Sequence, residues 1–171
     1  MAKRYDARFI LCEDIRVEAN GKVSLAGIYP GELILLLQNI AETALPAGTI
    51  AVLSRLCFVF FVSGPPGSVR ASITVYSPDR HKKIIESRSL PGQIEQGRAA
   101  TIGFTGSTFP VPALGSYAVE LKIDDEVHEL SFVIEAGPDF VPRVRPGATR
   151  GKSRTVKSAS RRQKSSVSRG S

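Results

Sequence analysis

The chain has 171 residues, of which 42% are hydrophobic, and it carries a formal net charge of +7. This length suits one folded domain with a short appendage, and the hydrophobic fraction is that of an ordinary globular protein, so a chain too polar to form a core is excluded. Two cysteines exclude a disulfide-rich scaffold, and the longest apolar run, 56–62, is far shorter than the roughly 20 residues that span a bilayer.

The N-terminal segment does not have the pattern of a secretion signal, so we expect that the protein is not exported. Its only continuous apolar stretch is 9–12, whereas the core of a secretion signal needs about 7–15 residues. We therefore expect a cytoplasmic location, in which Cys12 and Cys57 stay reduced. Neither cysteine has a second thiol or a histidine close in sequence, which favours two buried, inert thiols over a redox or metal site.

Short apolar or alternating segments, separated by Gly, Pro, Asn and Asp, run through residues 1–136. Segments of this length and spacing predict an all-β fold, an antiparallel β-sandwich of the immunoglobulin type or similar. Turns are predicted at Pro91-Gly92 and over 110–112, and one short helix over 38–44, which Pro46 would end. The predicted strands are 8–12, 15–19, 22–28, 33–37, 53–62, 69–76, 83–87, 98–105, 116–123 and 129–135.

The register of the first predicted hairpin decides how its charged side chains are interpreted. A two-residue Asn20-Gly21 turn would mix apolar and charged side chains on both faces, which a half-buried sheet does not tolerate. A three-residue loop over 19–21, with Gly21 in a bulge, separates them into one apolar and one polar face. This loop pairs Glu18 with Lys22 as ions, Val17 with Val23, Arg16 with Ser24 and Ile15 with Leu25.

Glu13, Asp14 and Arg16 form a candidate polar surface site at the start of this hairpin. The simpler interpretation is that these charges only cover the solvent side of the sheet. Adjacent residues of a regular strand point to opposite faces, so Glu13 and Asp14 form a carboxylate pair only if the strand breaks there. An acid–base or metal role stays open on that condition.

Residues 53–62 are predicted as the central strand. Leu56, Phe58, Phe60 and Val62 fall on one face, and Cys57, Val59 and Phe61 on the other. A strand that is apolar on both faces is covered on both faces.

The last predicted hairpin has two candidate registers. A two-residue loop would place Glu120 against Glu129, a like-charge pair that destabilises a sheet. A four-residue loop over 124–127 instead places Lys122 opposite Glu129 and Leu121 opposite Leu130. We therefore predict the longer loop, and the hairpin ends the folded domain at about residue 136.

The stretch 12–29, CEDIRVEANGKVSLAGIY, resembles the opening of an uncharacterised bacterial family, a domain of unknown function. LSRLCF, at 53–58, resembles the second block of that family. The chain departs from the family pattern in a longer segment between Pro30 and Thr49 and in its basic C-terminal segment. The resemblance implies a small bacterial β-domain and implies no activity. Separately, YSPD and the Gly-Ser-Tyr start of the last hairpin are similar to segments of immunoglobulin-like modules.

Candidate catalytic groups are few in the sequence. His81 lies in a predicted turn and His128 at a predicted hairpin tip, so both are predicted to be solvated. The sequence contains no G-x-S-x-G nucleophile elbow. The segment 147–153 resembles a phosphate-binding P-loop, but it is one residue short between its glycines and follows no predicted strand. We therefore predict a protein that is not an enzyme and has no catalytic, metal-binding or cofactor-binding residues.

Charge is distributed unequally between residues 1–136, here called the body, and the C-terminal segment 137–171. Residues 1–136 hold 13 Lys and Arg against 15 Asp and Glu, whereas residues 137–171 hold 10 against one. The segment has no aromatic residue after Phe140 and few apolar ones, a composition that predicts disorder. Clustered cations without aromatic side chains favour non-specific contact with the phosphates of nucleic acid or another polyanion. The alternative is a solubilising extension that has no dedicated partner. The predicted polyanion-binding residues are Arg143, Arg145, Arg150, Lys152, Arg154, Lys157, Arg161, Arg162, Lys164 and Arg169.

Two functional hypotheses follow, beside a third, a secreted or virion-associated structural sandwich, which would need export without a visible signal. The first is a non-enzymatic interaction module, in which the sandwich (1–136) contacts a protein partner, the basic segment (137–171) contacts nucleic acid, and neither contacts a membrane. The alternative is an enzyme or small-ligand-binding protein that uses a polar site near Glu13, Asp14 and Arg16.

Overall fold

The computed structural model describes residues 4–20, 22–37 and 45–142, and within them the chain is built almost entirely of β-strands. The predicted all-β fold is therefore confirmed. One short 3-10 turn, Pro30–Glu32, precedes the fourth strand. The strands are β1 (Asp6–Cys12), β2 (Asp14–Val17), β3 (Val23–Ala26), β4 (Leu33–Leu36), β5 (Ala51–Leu53), β6 (Leu56–Ser63), β7 (Gly67–Tyr76), β8 (Lys83–Glu86), β9 (Leu90–Ile94), β10 (Ala100–Gly106), β11 (Phe109–Val111), β12 (Gly115–Ile123) and β13 (Glu126–Ala136).

Two main sheets form the sandwich. The first has the order β1-β6-β10, and the second has the order β4-β13-β12-β7-β8, with β9 also paired to β7. Two short ladders, β2–β3 and β5–β11, lie beside them. The ladders of the described residues are antiparallel except for β4–β13, which is parallel.

Aromatic side chains from both sheets fill the space between them. Phe58 of β6 contacts Phe132 of β13 edge-on with ring centroids 5.8 Å apart, and Phe132 stacks on Tyr117 of β12 at 5.1 Å. Each of the three residues is 1% exposed or less. Because large buried rings contribute most to a core, this cluster holds the two sheets together.

The central position of β6 is confirmed, and the β2–β3 hairpin covers its second face. Cys12, Cys57 and Val59 are fully buried on that face, and Ile15 and Leu25 of the hairpin pack against them. The sandwich therefore has a small third layer at this corner.

The predicted three-residue loop of the first hairpin is confirmed by its register. Ile15 pairs with Leu25, Arg16 with Ser24 and Val17 with Val23. The apolar face is partly buried at its base, at Ile15 and Leu25, and is exposed at its tip, where Val17 is 76% exposed. The hairpin thus extends beyond the sheet that it covers.

Two predicted turns are strands instead. Pro91 lies within β9 and Pro110 within β11. Proline removes one backbone donor and is tolerated at a sheet edge, and each of these strands pairs on one side within the described residues, β9 with β7 and β11 with β5. The predicted strand 53–62 is also divided, since Ser54 and Arg55 separate β5 from β6.

The predicted four-residue loop of the last hairpin is wrong. Ile123 pairs with Glu126 and Glu120 pairs with Glu129, which leaves a two-residue loop, Asp124-Asp125. Asp124 has a φ of 50°, in the left-handed region that tight hairpin turns require. Its carboxylate accepts hydrogen bonds from Arg70 N at 2.9 Å and Tyr5 OH at 2.9 Å, so contacts with β7 and with the residue before β1 hold this turn.

The chain after β13 packs against the sandwich before the described residues end. Gly137 N donates to Leu36 O at 2.8 Å, and Phe140 is 5% exposed. The predicted helix 38–44 and the basic residues from Arg143 onward lie outside the described residues.

Candidate functional site

The corner between β1 and β2 brings Glu13 and Asp14 to one surface depression. Glu13 lies between the two strands, and its backbone N–H is shared between Ala26 O and Gly27 O, each at 3.1 Å. The strand thus breaks at Glu13, which is the condition under which two adjacent carboxylates can serve one site. The depression has a volume of about 420 Å³ and is lined by Glu13, Asp14, Tyr29, Val52, Leu53, Ser54 and Arg55.

Asp14 is held by two guanidinium groups. Arg16 donates from Nε to Asp14 Oδ2 at 2.8 Å, and Arg55 Nη2 lies 2.7 Å from Asp14 Oδ1. The hydrogen bond from Arg16 is the main cause that lowers the pKa of Asp14 below its usual value, and the charge of Arg55 adds to it. Because each carboxylate oxygen already has a cationic partner, Asp14 orients the two arginines and stays ionised at neutral pH.

Glu13 is held by Tyr29 and by the shape of the backbone beneath it. Tyr29 OH donates to Glu13 Oε1 at 3.2 Å. Burial, followed by the charge of Glu13, raises the pKa of Tyr29 to about 12, so Tyr29 remains a donor at neutral pH. Gly27 has a φ of +63°, and a Cβ at Gly27 would lie 2.7 Å from Glu13 Cγ. Gly27 therefore permits both the turn and the position of Glu13.

Two carboxylates, the Arg55 guanidinium group and the Tyr29 phenol line the open depression, and a second guanidinium group, that of Arg16, pairs with Asp14. Side chains of both signs can in general pair with small polar molecules that carry both charges. Of the predicted residues, Glu13 and Asp14 line the depression, whereas Arg16 does not line it and contacts Asp14 from outside. Arg55 was missed because its sequence position predicted the interior of a strand, and the break between β5 and β6 is what turns it toward Asp14.

The polar face of the hairpin differs in one contact from the prediction. Glu18 N donates to Lys22 O at 2.8 Å, so the two residues are cross-strand neighbours. Within the described residues they form no ion pair, and the Glu18 carboxylate instead accepts a hydrogen bond from the Ser24 hydroxyl.

The histidines and cysteines occupy different environments. His81 is exposed, as predicted. The prediction for His128 is wrong: it is 6% exposed and its Nε2 lies 3.7 Å from Glu126 Oε2, because the shorter loop moves it from the tip into β13. Cys12 and Cys57 are free and fully buried, as predicted, and burial raises the pKa of Cys12 to about 11.

Other possible sites are limited within the described ranges 4–20, 22–37 and 45–142. No group of three or more His, Cys, Asp and Glu side chains there is arranged to hold a metal ion. Nor does this part of the chain contain a helix long and apolar enough to cross a bilayer. The ten predicted polyanion-binding residues, Arg143 to Arg169, all lie beyond it.

Comparison with known proteins gives no assignment, since the chain matches no protein-family model and no curated protein. The resemblance to an uncharacterised bacterial domain family stays a prediction.

Proposed function

We propose that this chain is a cytoplasmic, non-enzymatic interaction module. Its β-sandwich contacts a protein partner, and its basic C-terminal segment binds nucleic acid or another polyanion without sequence selectivity. The observation that carries the proposal is the separation of charge between the body and the segment 137–171.

The charge separation favours binding through the segment alone. Residues 1–136 have a net charge of −2, whereas residues 137–171 have a net charge of +9. A polyanion is therefore attracted to the segment and weakly repelled by the body. Contacts between Lys or Arg and phosphates release counterions, so affinity falls steeply with salt.

The tip of the β2–β3 hairpin supports a protein partner for the sandwich. Val17 and Val23 face each other across the hairpin and are 76% and 39% exposed. Apolar side chains that project together from a sheet gain free energy when a partner covers them.

A salt series with a fluorescent single-stranded oligonucleotide tests the role of the segment. In the full chain, Arg161, Arg162 and Lys164 are changed together to Gln. Each phosphate contact on a single strand contributes about −0.7 to the slope of log affinity against log salt. Losing three contacts should therefore make this slope less negative by about 2. The matched control changes three exposed cations of the body, Lys22, Lys82 and Lys122, to Gln and should leave the slope unchanged. Equal losses in both variants, or binding that does not depend on salt, would remove the segment from the proposal.

A second candidate function is the binding of a small polar ligand by Glu13, Asp14, Arg16 and Arg55. It is favoured by the convergence of opposite charges on the 420 Å³ depression. A thermal-shift screen of small amines, carboxylates and zwitterions tests it. Stabilisation by a ligand should be lost in Asp14→Asn/Arg16→Gln and kept in Glu95→Gln/Arg98→Gln, which removes an exposed ion pair of the same kind. A ligand that stabilises both double variants equally would exclude this site.

A further inference from the structure

A second depression, mostly apolar, opens between the two main sheets where β8 ends. Its volume is about 400 Å³, within the usual range of ligand pockets, which is roughly 300–1,000 Å³. Phe58 and Phe104 from the first sheet and Ile73 and Ile85 from the second form its apolar walls. Phe58, Ile73 and Phe104 are each 6% exposed or less, so the cleft reaches the edge of the main core.

The cleft lies where the link between β8 and β9 faces the end of β10, and small residues stand on both sides. β8 and β9 both pair with β7, and the link between them passes through Ser87, Arg88 and Ser89. Ser87 remains bound to β7 through Ser87 N to Ile73 O at 2.9 Å and Ile73 N to Ser87 Oγ at 2.8 Å. On the opposite sheet, β10 ends at Gly106, which has no side chain to fill the gap.

The mouth of the cleft carries a positive charge. Glu86 and Arg88 both line it, but Glu86 is paired with Lys83 Nζ at 2.9 Å. Among the described residues no ion pair is found for Arg88, which is exposed. The Ser87 hydroxyl accepts a hydrogen bond from Ile73 N and so keeps its own proton to donate. The mouth therefore offers a guanidinium and a hydroxyl donor beside apolar walls.

We propose that this cleft binds a small amphipathic carboxylate, with its alkyl chain between the sheets and its carboxylate on Arg88 and Ser87. The chain would replace water against Phe58, Ile73, Ile85 and Phe104, and the guanidinium would neutralise the head group. This site is separate from the Asp14 depression and does not depend on the basic C-terminal segment.

Titration of the full chain with octanoate, hexanoate and 1-octanol tests the proposal, followed by the methyl resonances of Ile73 and Ile85. Octanoate should bind saturably and shift both resonances. Each buried methylene is worth about fourfold in affinity, so hexanoate should bind about 16-fold more weakly. Binding of 1-octanol as tight as that of octanoate, or no saturable shift at Ile73 and Ile85, would overturn the proposal.

One pair of variants tests the contact between the carboxylate of the ligand and Arg88. Arg88→Gln should weaken octanoate at least about tenfold and leave 1-octanol unchanged, because only the carboxylate needs the guanidinium. Arg98→Gln removes the same charge from a side chain that is 79% exposed and does not line the cleft. This variant should change the affinity for neither ligand. An equal effect of both substitutions on octanoate would contradict the assignment of Arg88.

Filling the cleft should block both ligands. A Cβ at Gly106 would lie in ordinary contact, 3.6 Å from Leu56 O and 3.8 Å from Ile85 Cδ1, so Gly106→Leu places its side chain in the cleft. Gly106→Ala adds only a methyl group and replaces Gly106→Leu if the larger residue prevents folding. It should lower the affinity for octanoate and for 1-octanol together. Unchanged affinity for both ligands in a folded Gly106 variant would place the binding elsewhere.

Discussion

Glu120 of β12 lies directly opposite Glu129 of β13, although like charges at such positions destabilise a sheet. Tyr76 of β7 relieves this contact, because its hydroxyl donates to Glu120 Oε2 at 3.0 Å. The same hydrogen bond is the main cause that raises the pKa of Tyr76. A residue on a third strand thus supports a register that the two paired strands alone would disfavour.

Removing the repulsion between the two glutamates should stabilise the protein. We expect Glu129→Lys to raise the free energy of unfolding by about 0.2–1 kcal/mol, since it replaces a like-charge pair with an opposite-charge pair. Glu135→Lys makes the same charge change on β13 opposite Leu35 and should have a smaller effect. Urea unfolding at low salt measures both, and equal gains would mean that only the net charge matters.

The Asp124 turn should be sensitive to substitution at one position and insensitive at the next. Asp124→Ala loses the hydrogen bonds from Arg70 N and Tyr5 OH and leaves alanine at a φ of 50°. We expect a loss of about 1–3 kcal/mol in the free energy of unfolding. Asp125→Ala, at an exposed position of the same turn, should stay within about 0.5 kcal/mol of the wild type. Similar losses in the two variants would contradict the role assigned to Asp124.

Phe58 should be more costly to truncate than Phe61, which lies on the other face of β6. It is 1% exposed and contacts both Phe109 and Phe132, so Phe58→Ala should cost about 3–5 kcal/mol through lost burial and a cavity. Phe61→Ala, on the partly exposed second face of the same strand, should cost less. Chemical denaturation of both variants checks the order, and the reverse order would show that the main core lies elsewhere.

Stability should fall at alkaline pH because buried acids resist ionisation in the folded protein. Burial raises the pKa of Tyr117 and of Tyr29 from 10.0 to about 12, and that of Cys12 from 9.0 to about 11. As the pH rises, these groups ionise in the unfolded chain before they ionise in the folded protein. Their contribution to the free energy of unfolding is therefore complete below pH 9 and is lost as the pH rises to about 12. Tyr117→Phe should make the fall in the urea midpoint between pH 10 and 12 less steep, and an unchanged fall would exclude Tyr117 as a cause.

Opening of the β2–β3 hairpin should control the reactivity of the thiols. Cys12 and Cys57 are buried beneath Ile15 and Leu25, so a disulfide reagent should label them slowly in the native state. Leu25→Ala removes part of this cover, and a local loss of about 1.4 kcal/mol would speed labelling tenfold. Val17→Ala changes the exposed tip and should leave the rate unchanged, so acceleration by this variant would argue against the hairpin base as the gate.

Local patterns predicted those parts of the fold in which neighbouring side chains decide the structure. Sorting Ile15, Val17, Val23 and Leu25 onto one face was enough to determine the register of the first hairpin. The apolar residues on both faces of 56–62 were enough to place β6 at the centre of its sheet. In each case the information lies within the segment itself.

Contacts between distant residues decided the parts that were predicted wrongly. The two-residue turn at Asp124 depends on Tyr5 and Arg70, and the Glu120–Glu129 pair depends on Tyr76. Pairing with β7 and β5 makes strands of segments whose prolines favour turns. In the candidate site, Glu13, Asp14 and Arg16 were found from their local charge, whereas Arg55 joins them only through tertiary structure.

The parallel ladder between β4 and β13 has a consequence for synthesis of the protein. Leu33 and its partner Val133 are 100 residues apart in the chain. At the usual elongation rate of about 5–20 residues per second, the ribosome makes β4 roughly 5–20 seconds before its partner exists. During that interval the nascent chain carries the leucine-rich segment LILL without the neighbour that it has in the finished protein, and an unpaired apolar strand of this kind is open to pairing with other chains.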